Sequence, residues 1–422
     1  MTAADHTLLE CTCPACGHHV AARFFDGGDQ PLATLAWPRS AEEAGAMPCL
    51  PLSFVRCLNC GHIYNAEFDY RHVPYSDKPN LMFNRGTEWQ EHLAQTRALV
   101  SRSLPENPVV IEIGCGEGHF LRDLAKETGK GRFIGFDPNA SINTEDGLIE
   151  ARNELFIASR DVARYRPDLI ICRHLLEHLN NPLGFLQPLS IEISKAGLHT
   201  ALFAEAPCVD RVFETGRIAD FYYEHNSHFT TRSFTRMLEL STQAIDTVEH
   251  GYDREVIYAL AWLGCTPQTL DLEEEARRFH RATQTARDSI GAQLAALTAE
   301  GCRVAIWGGT GKAAAFINYY GLDAARFPLV VDSDYGKVGT FVPGSGQPIA
   351  ARDRLLADPP DVVIIPTQWR ARDIVAEMKG LGLTPARVLI EHRGQLVDFH
   401  RDAHPYRRGE AARKSKPSVA VA

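Results

Sequence analysis

The spacing of apolar positions changes character along this chain. From residues 87 to 103, Trp89, Leu93, Thr96, Leu99 and Val100 recur at helical intervals, which predicts a helix with one buried face. Three short, mainly apolar runs follow, at 108–114, 132–137 and 167–173. Runs of this length, rich in β-branched residues and separated by helical or irregular sequence, predict buried parallel strands in βαβ units. A long helix is predicted from Asp271 to about Glu300, and the strand pattern restarts at 304–309, 327–332, 362–366 and 387–390 as a second α/β domain. Residues 1–72 have short apolar runs and no helical period, which reads as a small, loop-rich module. The expected organisation is 1–72 as that module, 73–265 as a first α/β core, 266–404 as a second, and 405–422 as a basic, flexible tail.

Composition narrows the class. The chain has 422 residues, 45% hydrophobic and 23% charged, enough for two or three cores and unlike collagen, coiled coil or a disordered polymer. Forty-four basic against 53 acidic residues leave a formal charge of −9, which argues against nucleic acid or an anionic membrane as partner. The first ten residues lack the pattern of a secretory signal and no run reaches the length of a membrane span, so a cytoplasmic protein is expected.

Six of the eleven cysteines lie between Cys11 and Cys60, and two pairs stand out: Cys13-Pro14-Ala15-Cys16-Gly17 and Cys57-Leu58-Asn59-Cys60-Gly61. Two thiolates separated by two residues can turn onto one ion, and the glycine behind them permits the positive φ that such a turn needs. Cys13, Cys16, Cys57 and Cys60 are therefore expected to hold a structural Zn2+, with a redox pair or packed thiols as the other readings. Cys11 and Cys49 are spare, and His18, His19 and His62 are read as solvated neighbours, with substitution for one of the ligands as the other reading.

The first strand runs into Glu112-Ile113-Gly114-Cys115-Gly116-Glu117-Gly118, and the next ends at Asp137. Glycines let a ligand lie against the backbone, the following helix start favours a polar group, and a carboxylate at the end of the second strand can accept both ribose hydroxyls. The pattern indicates a nucleoside cofactor, against the plainer reading of an ordinary strand-to-helix turn. In the second domain Gly311-Lys312 is no phosphate-binding P-loop: Ile306 and Ala313 occupy positions that need Gly and Ser/Thr. That turn either faces a phosphate or closes its strand.

The E-x-G-x-G-x-G stretch, with the acid closing the next strand, resembles the first motif of class I S-adenosylmethionine-dependent methyltransferases. The segment from Cys172 to Pro182 is similar to their fourth-strand region. Joined to the cysteine pairs and to the C-terminal segments Trp307-Gly308-Gly309-Thr310-Gly311-Lys312, Val331-Asp332 and Val342-Pro343-Gly344, the chain resembles the nucleotide-sugar C-methyltransferases of antibiotic pathways along nearly its whole length. The resemblance implies an α/β fold: a small zinc-binding module, a Rossmann-like methyltransferase core and a second Rossmann-like domain. It implies S-adenosyl-L-methionine held by Glu112, Gly114, Cys115, Gly116, Gly118, Asp137, Pro138, Arg173 and His174. The acceptor is then a small molecule, a nucleotide-diphosphate sugar, with no nucleic acid or membrane partner; oligomeric state stays open and a monomer is compatible.

Phe221-Tyr222-Tyr223-Glu224-His225-Asn226-Ser227-His228-Phe229 concentrates titratable groups among aromatics, where partial desolvation shifts pKa values. It resembles the family's Y-x-E-H-x-x-Y-F stretch. That implies His225 as the base removing the proton α to a ketone, with Glu224 or Tyr222 orienting it or stabilising the enolate, and Tyr75 reaching the site. His228, a further candidate catalytic residue, stands where the family has Tyr, and the H-G-G-S stretch appears only as His250-Gly251-Tyr252, departures that bear on the acceptor; a purely structural role for these histidines is the other reading. The expected function is methylation of a dTDP-type 4-keto deoxysugar at the carbon α to the ketone. Other readings are an O- or N-methyltransferase on a sugar, aminosugar or natural product, and a silent cofactor-binding protein.

Overall fold

The computed structural model describes residues 8–35, 37–73, 84–139, 142 and 144–407. They form two compact units, 1–272 and 273–422, the first of which holds two sheets. Its N-terminal sheet is antiparallel and corrects the loop-rich expectation: β1 (Leu8–Glu10), β2 (Val20–Gln30), β3 (Leu50–Cys57) and β4 (Ile63–Asn65) lie side by side. The buried residues of β3 alternate at Leu50, Leu52 and Phe54, a period of two that the Pro and Gly content around it obscures.

The second sheet is built from β5 (Val109–Ile113), β6 (Arg132–Phe136), β7 (Glu150–Arg152), β8 (Leu169–Arg173) and β9 (Ala201–Pro207). After β10 (Ser227–His228), which leaves to join the N-terminal sheet, β11 (Ala244–Gly251) and β12 (Val256–Trp262) complete it. The order is β11-β12-β9-β8-β5-β6-β7, with β5 to β9 parallel and β12 antiparallel to β9. This is the Rossmann-like order of class I methyltransferases, in which the switch of direction between β5 and β8 opens a crevice at the strand ends.

Each strand of that crevice ends for a local reason. After β5, Gly114, Gly116 and Gly118 take φ of +73°, +53° and +71°, and Gly118 starts the helix His119–Thr128. Gly129, at φ +70°, ends it and accepts no Cβ penalty in doing so. After β8, the helix Pro182–Lys195 starts behind Asn181, whose side chain accepts the Gly184 N–H at 2.8 Å, with Pro at the first position.

The N-terminal sheet shares a core with the second sheet. One cluster of buried residues runs from Ala21, Val55 and Tyr64 into Ile111, Ile170, Phe229 and Phe234, and β4 pairs with β10 through Tyr64–Ser227 and Ile63–His228. The chain segment 221–229 is thereby fixed from both sides.

The second unit carries β13 (Val304–Trp307), β14 (Leu329–Asp332), β15 (Ile349–Ala351), β16 (Val362–Ile364), β17 (Arg387–His392) and β18 (Gln395–Asp398). Their order, β15-β14-β13-β16-β17-β18 with only β18 antiparallel, is again Rossmann-like. The long helix spans Pro267–Ala299 and buries Ala286, Ile290, Leu294 and Leu297, the later part of the predicted stripe, while Leu272 and Phe279 are exposed. No helix among the described residues is long and apolar enough to cross a membrane.

Gly131 shows how tightly the turn before β6 is set. At φ +110°, a Cβ there would lie 2.5 Å from the Pro108 carbonyl oxygen. Gly131→Ala is expected to destabilise the first unit by about 2 kcal/mol, read as a lowered urea midpoint with an unchanged m-value.

Candidate active site and cysteine cluster

Four sulfurs meet beneath the N-terminal sheet. Cys13 Sγ is 3.7 Å from Cys60 Sγ, Cys16 Sγ is 3.6 Å from Cys57 Sγ, and all four lie within 4.8 Å of one another. Zn–S bonds of about 2.3 Å imply S–S edges of roughly 3.8 Å in a tetrahedron, so the set fits a four-coordinate ion. Both glycines behind the pairs have positive φ, +73° at Gly17 and +79° at Gly61. The Asn59 backbone N–H donates to Cys57 Sγ at 3.4 Å and the Asn59 side chain to Cys16 Sγ at 3.7 Å. Hydrogen bonding from Cys13 lowers the Cys60 thiol to about 5, while the same contact raises Cys13. His62, expected at the surface, is fully buried against Phe229, 3.3 Å from Ser227 Oγ, and burial pushes its pKa down to about 3.

The glycine turn after β5 opens on a cavity of about 570 Å³ lined by Glu112, Gly114, Cys115, Gly116, Gly118, Arg173 and His174 together with Asn84, Arg85, Trp89, Phe120 and Asp123. Seven of the nine residues expected around the cofactor therefore face one space. Asp137 and Pro138 are not among the described lining residues; Asp137 instead accepts the N–H groups of Gly116 at 3.1 Å and Asn139 at 2.8 Å, which fixes the turn. Pro138 is exposed. The Cys115 sulfur packs where a Cβ on Gly135 would stand, 2.7 Å away, and burial raises its thiol.

Glu112 carries the clearest sign that a ligand belongs here. It is buried, and its Oε2 has no hydrogen-bond partner. Burial pushes its carboxyl up to about 7, opposed by Arg173. An orphan acceptor at the mouth of a glycine turn fits a ligand bearing an ammonium and ribose hydroxyls, as S-adenosylmethionine does.

Behind the cavity wall lies a buried charge cluster of which the sequence gave Arg173 and His174 alone. Glu205, at the centre of β9, accepts from Arg173 Nε at 3.0 Å and Nη2 at 2.8 Å, and its Oε2 is 2.6 Å from His92 Nε2. His174, at φ +48°, places Nε2 3.1 Å from Glu205 Oε1 off the line of a good hydrogen bond, and Nδ1 3.4 Å from Glu177 Oε1. Burial alone would lower His174, but its contacts with Glu177 and Glu205 raise it to about 9. Burial alone would raise Glu205; Arg173, His174 and His92 outweigh it and hold the carboxyl well below its ordinary 4.5. A glutamate inside the apolar run of 201–207 was the available signal.

The segment 221–229 brings His225 beside this cluster. Its ring lies 4.8 Å from that of His178, centroid to centroid, and its Nε2 is 2.8 Å from the Tyr222 hydroxyl. Burial lowers His225 well below 6.5, helped by His178, His228 and His174. Burial raises the Tyr222 hydroxyl. Glu224 departs from expectation: its carboxylate turns away from His225 and accepts the N–H groups of Ala33 at 3.0 Å, Thr34 at 2.7 Å and Leu35 at 3.0 Å. It clamps a loop of the N-terminal sheet and does not orient the base. His228 packs between Phe54 and Phe221 with Nε2 3.0 Å from the Asp220 carbonyl, and burial lowers it to about 4, so its ring holds the segment in place. Tyr75 lies outside the described residues. Glu177 and His178, unassigned from sequence, are brought within 4.8 Å of His225.

Known proteins resemble this chain in two stretches. A methyltransferase domain family matches residues 86–241, and a C-methyltransferase C-terminal domain family matches residues 265–383. The C-methyltransferase NovU of Streptomyces niveus is 24% identical over 399 residues, covering 87% of this chain and 92% of that protein. Among solved structures, the methyltransferase domain of a bacterial CtHen1 aligns over 42% of this chain and 99% of its own at 16% identity and TM-score 0.32. Magnesium protoporphyrin IX methyltransferase of Synechocystis PCC 6803 aligns over 42% and 83% at 15% identity and TM-score 0.29.

The charge cluster makes a stability prediction. Glu205's contribution is present above pH 4.5 and lost as pH falls through its depressed folded value. His174's is full below 6.5 and lost as pH rises through about 9. Their joint contribution therefore peaks between about pH 4.5 and 6.5. Glu205→Gln is expected to cost about 3–5 kcal/mol in urea unfolding and to flatten that maximum.

Proposed function

Since the chain belongs to the S-adenosylmethionine-dependent C-methyltransferase family, we propose that it methylates a nucleotide-linked, dTDP-type 4-keto deoxysugar at the carbon α to the ketone. The observation that carries this reading is the Tyr222–His225 pair: an imidazole held uncharged by burial, 2.8 Å from an orienting hydroxyl and beside the wall of the cofactor cavity. NovU is by name a C-methyltransferase, which favours carbon as the methylated atom.

When bound, S-adenosylmethionine supplies an electrophilic methyl group. The backbone of Gly114, Cys115, Gly116 and Gly118 would hold it, with Glu112 taking a donor on its unpaired oxygen and Arg173 and His174 forming the wall; Asp137 and Pro138 act behind the turn. A neutral imidazole is the form that can take a proton, and an oxygen or nitrogen nucleophile needs no such base at a C–H bond. His225 removes the α proton and the C–H electrons move to the ketone oxygen as an enolate; the methyl group would be supplied to the α carbon by bound S-adenosylmethionine, the electron pair of its C–S bond staying on sulfur. Tyr222 fixes the ring of His225, and Glu224 fixes the segment that carries both. The division at residues 72 and 265 belongs to this proposal, as does a cytoplasmic setting; of the expected tail, residues 408–422 lie outside the described residues.

Cys13, Cys16, Cys57 and Cys60 hold a structural Zn2+ in this reading. Four thiolates leave no open coordination position, so the ion stabilises the sheet and takes no part in methyl transfer. Stringent chelation, or Cys57→Ser, is expected to release one equivalent of zinc and lower the melting temperature, with Cys49→Ser unchanged on both; an equally stable metal-free protein would refute the site.

The acceptor chemistry is tested by hydrogen–deuterium exchange at the carbon next to the ketone of a dTDP-4-keto-6-deoxysugar, followed by NMR without methyl donor. Exchange is expected in the wild type and a loss of at least about a hundredfold in His225→Gln. A product methylated on oxygen or nitrogen, with no exchange, sinks the C-methylation reading.

A further inference from the structure

A proton taken by His225 creates a buried cation, and the groups around it oppose that charge. His178 from the turn after β8, His174 from the end of β8 and His228 from β10 all face it, and with burial they hold its pKa down. The Tyr222 hydroxyl on the same segment is uncharged, and Arg173 is paired with Glu205 behind His174. A sheltered imidazolium without a counter-charge is expensive, so a carboxylate must lie close if the base is to work.

Among the described residues, Asp220 at the head of the segment is paired with Arg217 at 3.1 Å, which leaves two nearby carboxylates to weigh. Glu224 is adjacent in sequence, but its oxygens are taken by the N–H groups of residues 33–35. Glu177 is 2% exposed, and one of its oxygens lies within 4.8 Å of a ring nitrogen of His225 and of His178. Its Oε1 is 3.4 Å from His174 Nδ1, and its Oε2 is buried with no hydrogen-bond partner among the described residues.

We propose that Glu177 is the counter-charge of the base, a positioning residue that stabilises the imidazolium formed at His225. Resting on the C-methylation reading, the step balances as follows: the α C–H bond breaks, its electron pair goes to the ketone oxygen, and an N–H bond forms on His225. The proton stays on His225. With one of its oxygens within 4.8 Å of a ring nitrogen of His225, the Glu177 carboxylate attracts the charged ring more than the neutral one, so the interaction is stronger after proton transfer than before it, the condition for lowering the barrier. His174, with Nδ1 3.4 Å from Oε1, ties the counter-charge to the wall of the cofactor cavity.

The test uses the full-length, zinc-loaded protein. Glu177→Gln keeps the shape and removes the charge. Turnover and α-carbon exchange are expected to fall about a hundredfold, with S-adenosylmethionine affinity by calorimetry unchanged. The acid limb of the kcat profile, where His225 becomes protonated, is expected to move to lower pH because an anion that favoured protonation is gone. Glu177→Asp keeps the charge and is expected to keep the limb in place with an intermediate turnover. An unmoved limb in Glu177→Gln, or equal shifts in both variants, overturns the proposal. A second equivalent of bound divalent metal that disappears in Glu177→Gln overturns it too, since these side chains would then be ligands. No exchange in the wild type removes the underlying C-methylation reading, whereas exchange equally fast in wild type and Glu177→Gln removes the role of Glu177 alone.

Discussion

The Glu224 carboxylate, desolvated and held by three consecutive backbone N–H groups of residues 33–35, joins the cysteine-bearing sheet to the segment that carries His225. Charge-assisted bonds of this kind are worth more than neutral ones, and a buried carboxylate deprived of them would cost several kcal/mol. The residues beside it extend the seam. The Tyr223 hydroxyl accepts the Asp69 N–H at 2.9 Å, the Asn226 carbonyl accepts the Asn65 N–H at 3.0 Å, and Ser227 and His228 pair with β4. With its neighbours fixed on both sides, His225 has one place to be. A metal in the cysteine cluster would then act on the reaction only at a distance, by stiffening the sheet to which this segment is sewn.

The cavity wall shows how one fold gives two buried glutamates opposite properties. Glu205 and Glu112 sit on strands β9 and β5 of the same sheet, both sheltered from water, and burial raises both. Glu205 collects Arg173, His174 and His92, whose sum overwhelms desolvation, and stays charged. For Glu112, burial outweighs Arg173 and the Leu121 backbone N–H, with Glu205 and Asp137 adding to the rise, and its carboxyl climbs to about 7. The guanidinium of Arg173 is spent mainly on Glu205 and lies 4.3 Å over the Phe120 ring, which leaves Glu112 able to receive a donor from the cavity. The charged cluster is scaffolding, and the neighbouring acid is kept available because the cluster has absorbed the cations.

Backbone-level features were legible in the sequence because they depend on local pattern. The apolar runs became β5, β6 and β8, and the glycines became the positive-φ turn. Side-chain direction was not legible. Glu224 precedes His225 by one residue, which suggests partnership, yet residues 223–224 form a turn and the Glu224 carboxylate is taken up by the N–H groups of residues 33–35. Glu177, 48 positions earlier, reaches His225 because the turn after β8 and the segment before β10 converge. The N-terminal strands were missed for a related reason: β10 is two residues long and exists only through its pairing with β4.

The α/β sheet of the second unit repeats one bond of the α/β sheet of the first unit and so limits what its glycine turn can do. In the first, the Gly116 N–H donates to Asp137 at the end of the adjacent strand; in the second, the Gly309 N–H donates to Asp332 at 3.3 Å. Each aspartate closes the strand next to the turn and places a negative charge at its mouth, which opposes a bare phosphate there. Lys312, the residue that gave the turn its P-loop look, has its ammonium 4.1 Å over the ring of Trp369, and Lys337 approaches Asp332 at 3.5 Å. A cation stacked on an indole has given up hydration for the ring and is not extended towards the glycines. Of the two readings open for Gly311-Lys312, closing the strand agrees with these contacts, and a phosphate on the turn would have to displace both the acid and the stacked lysine.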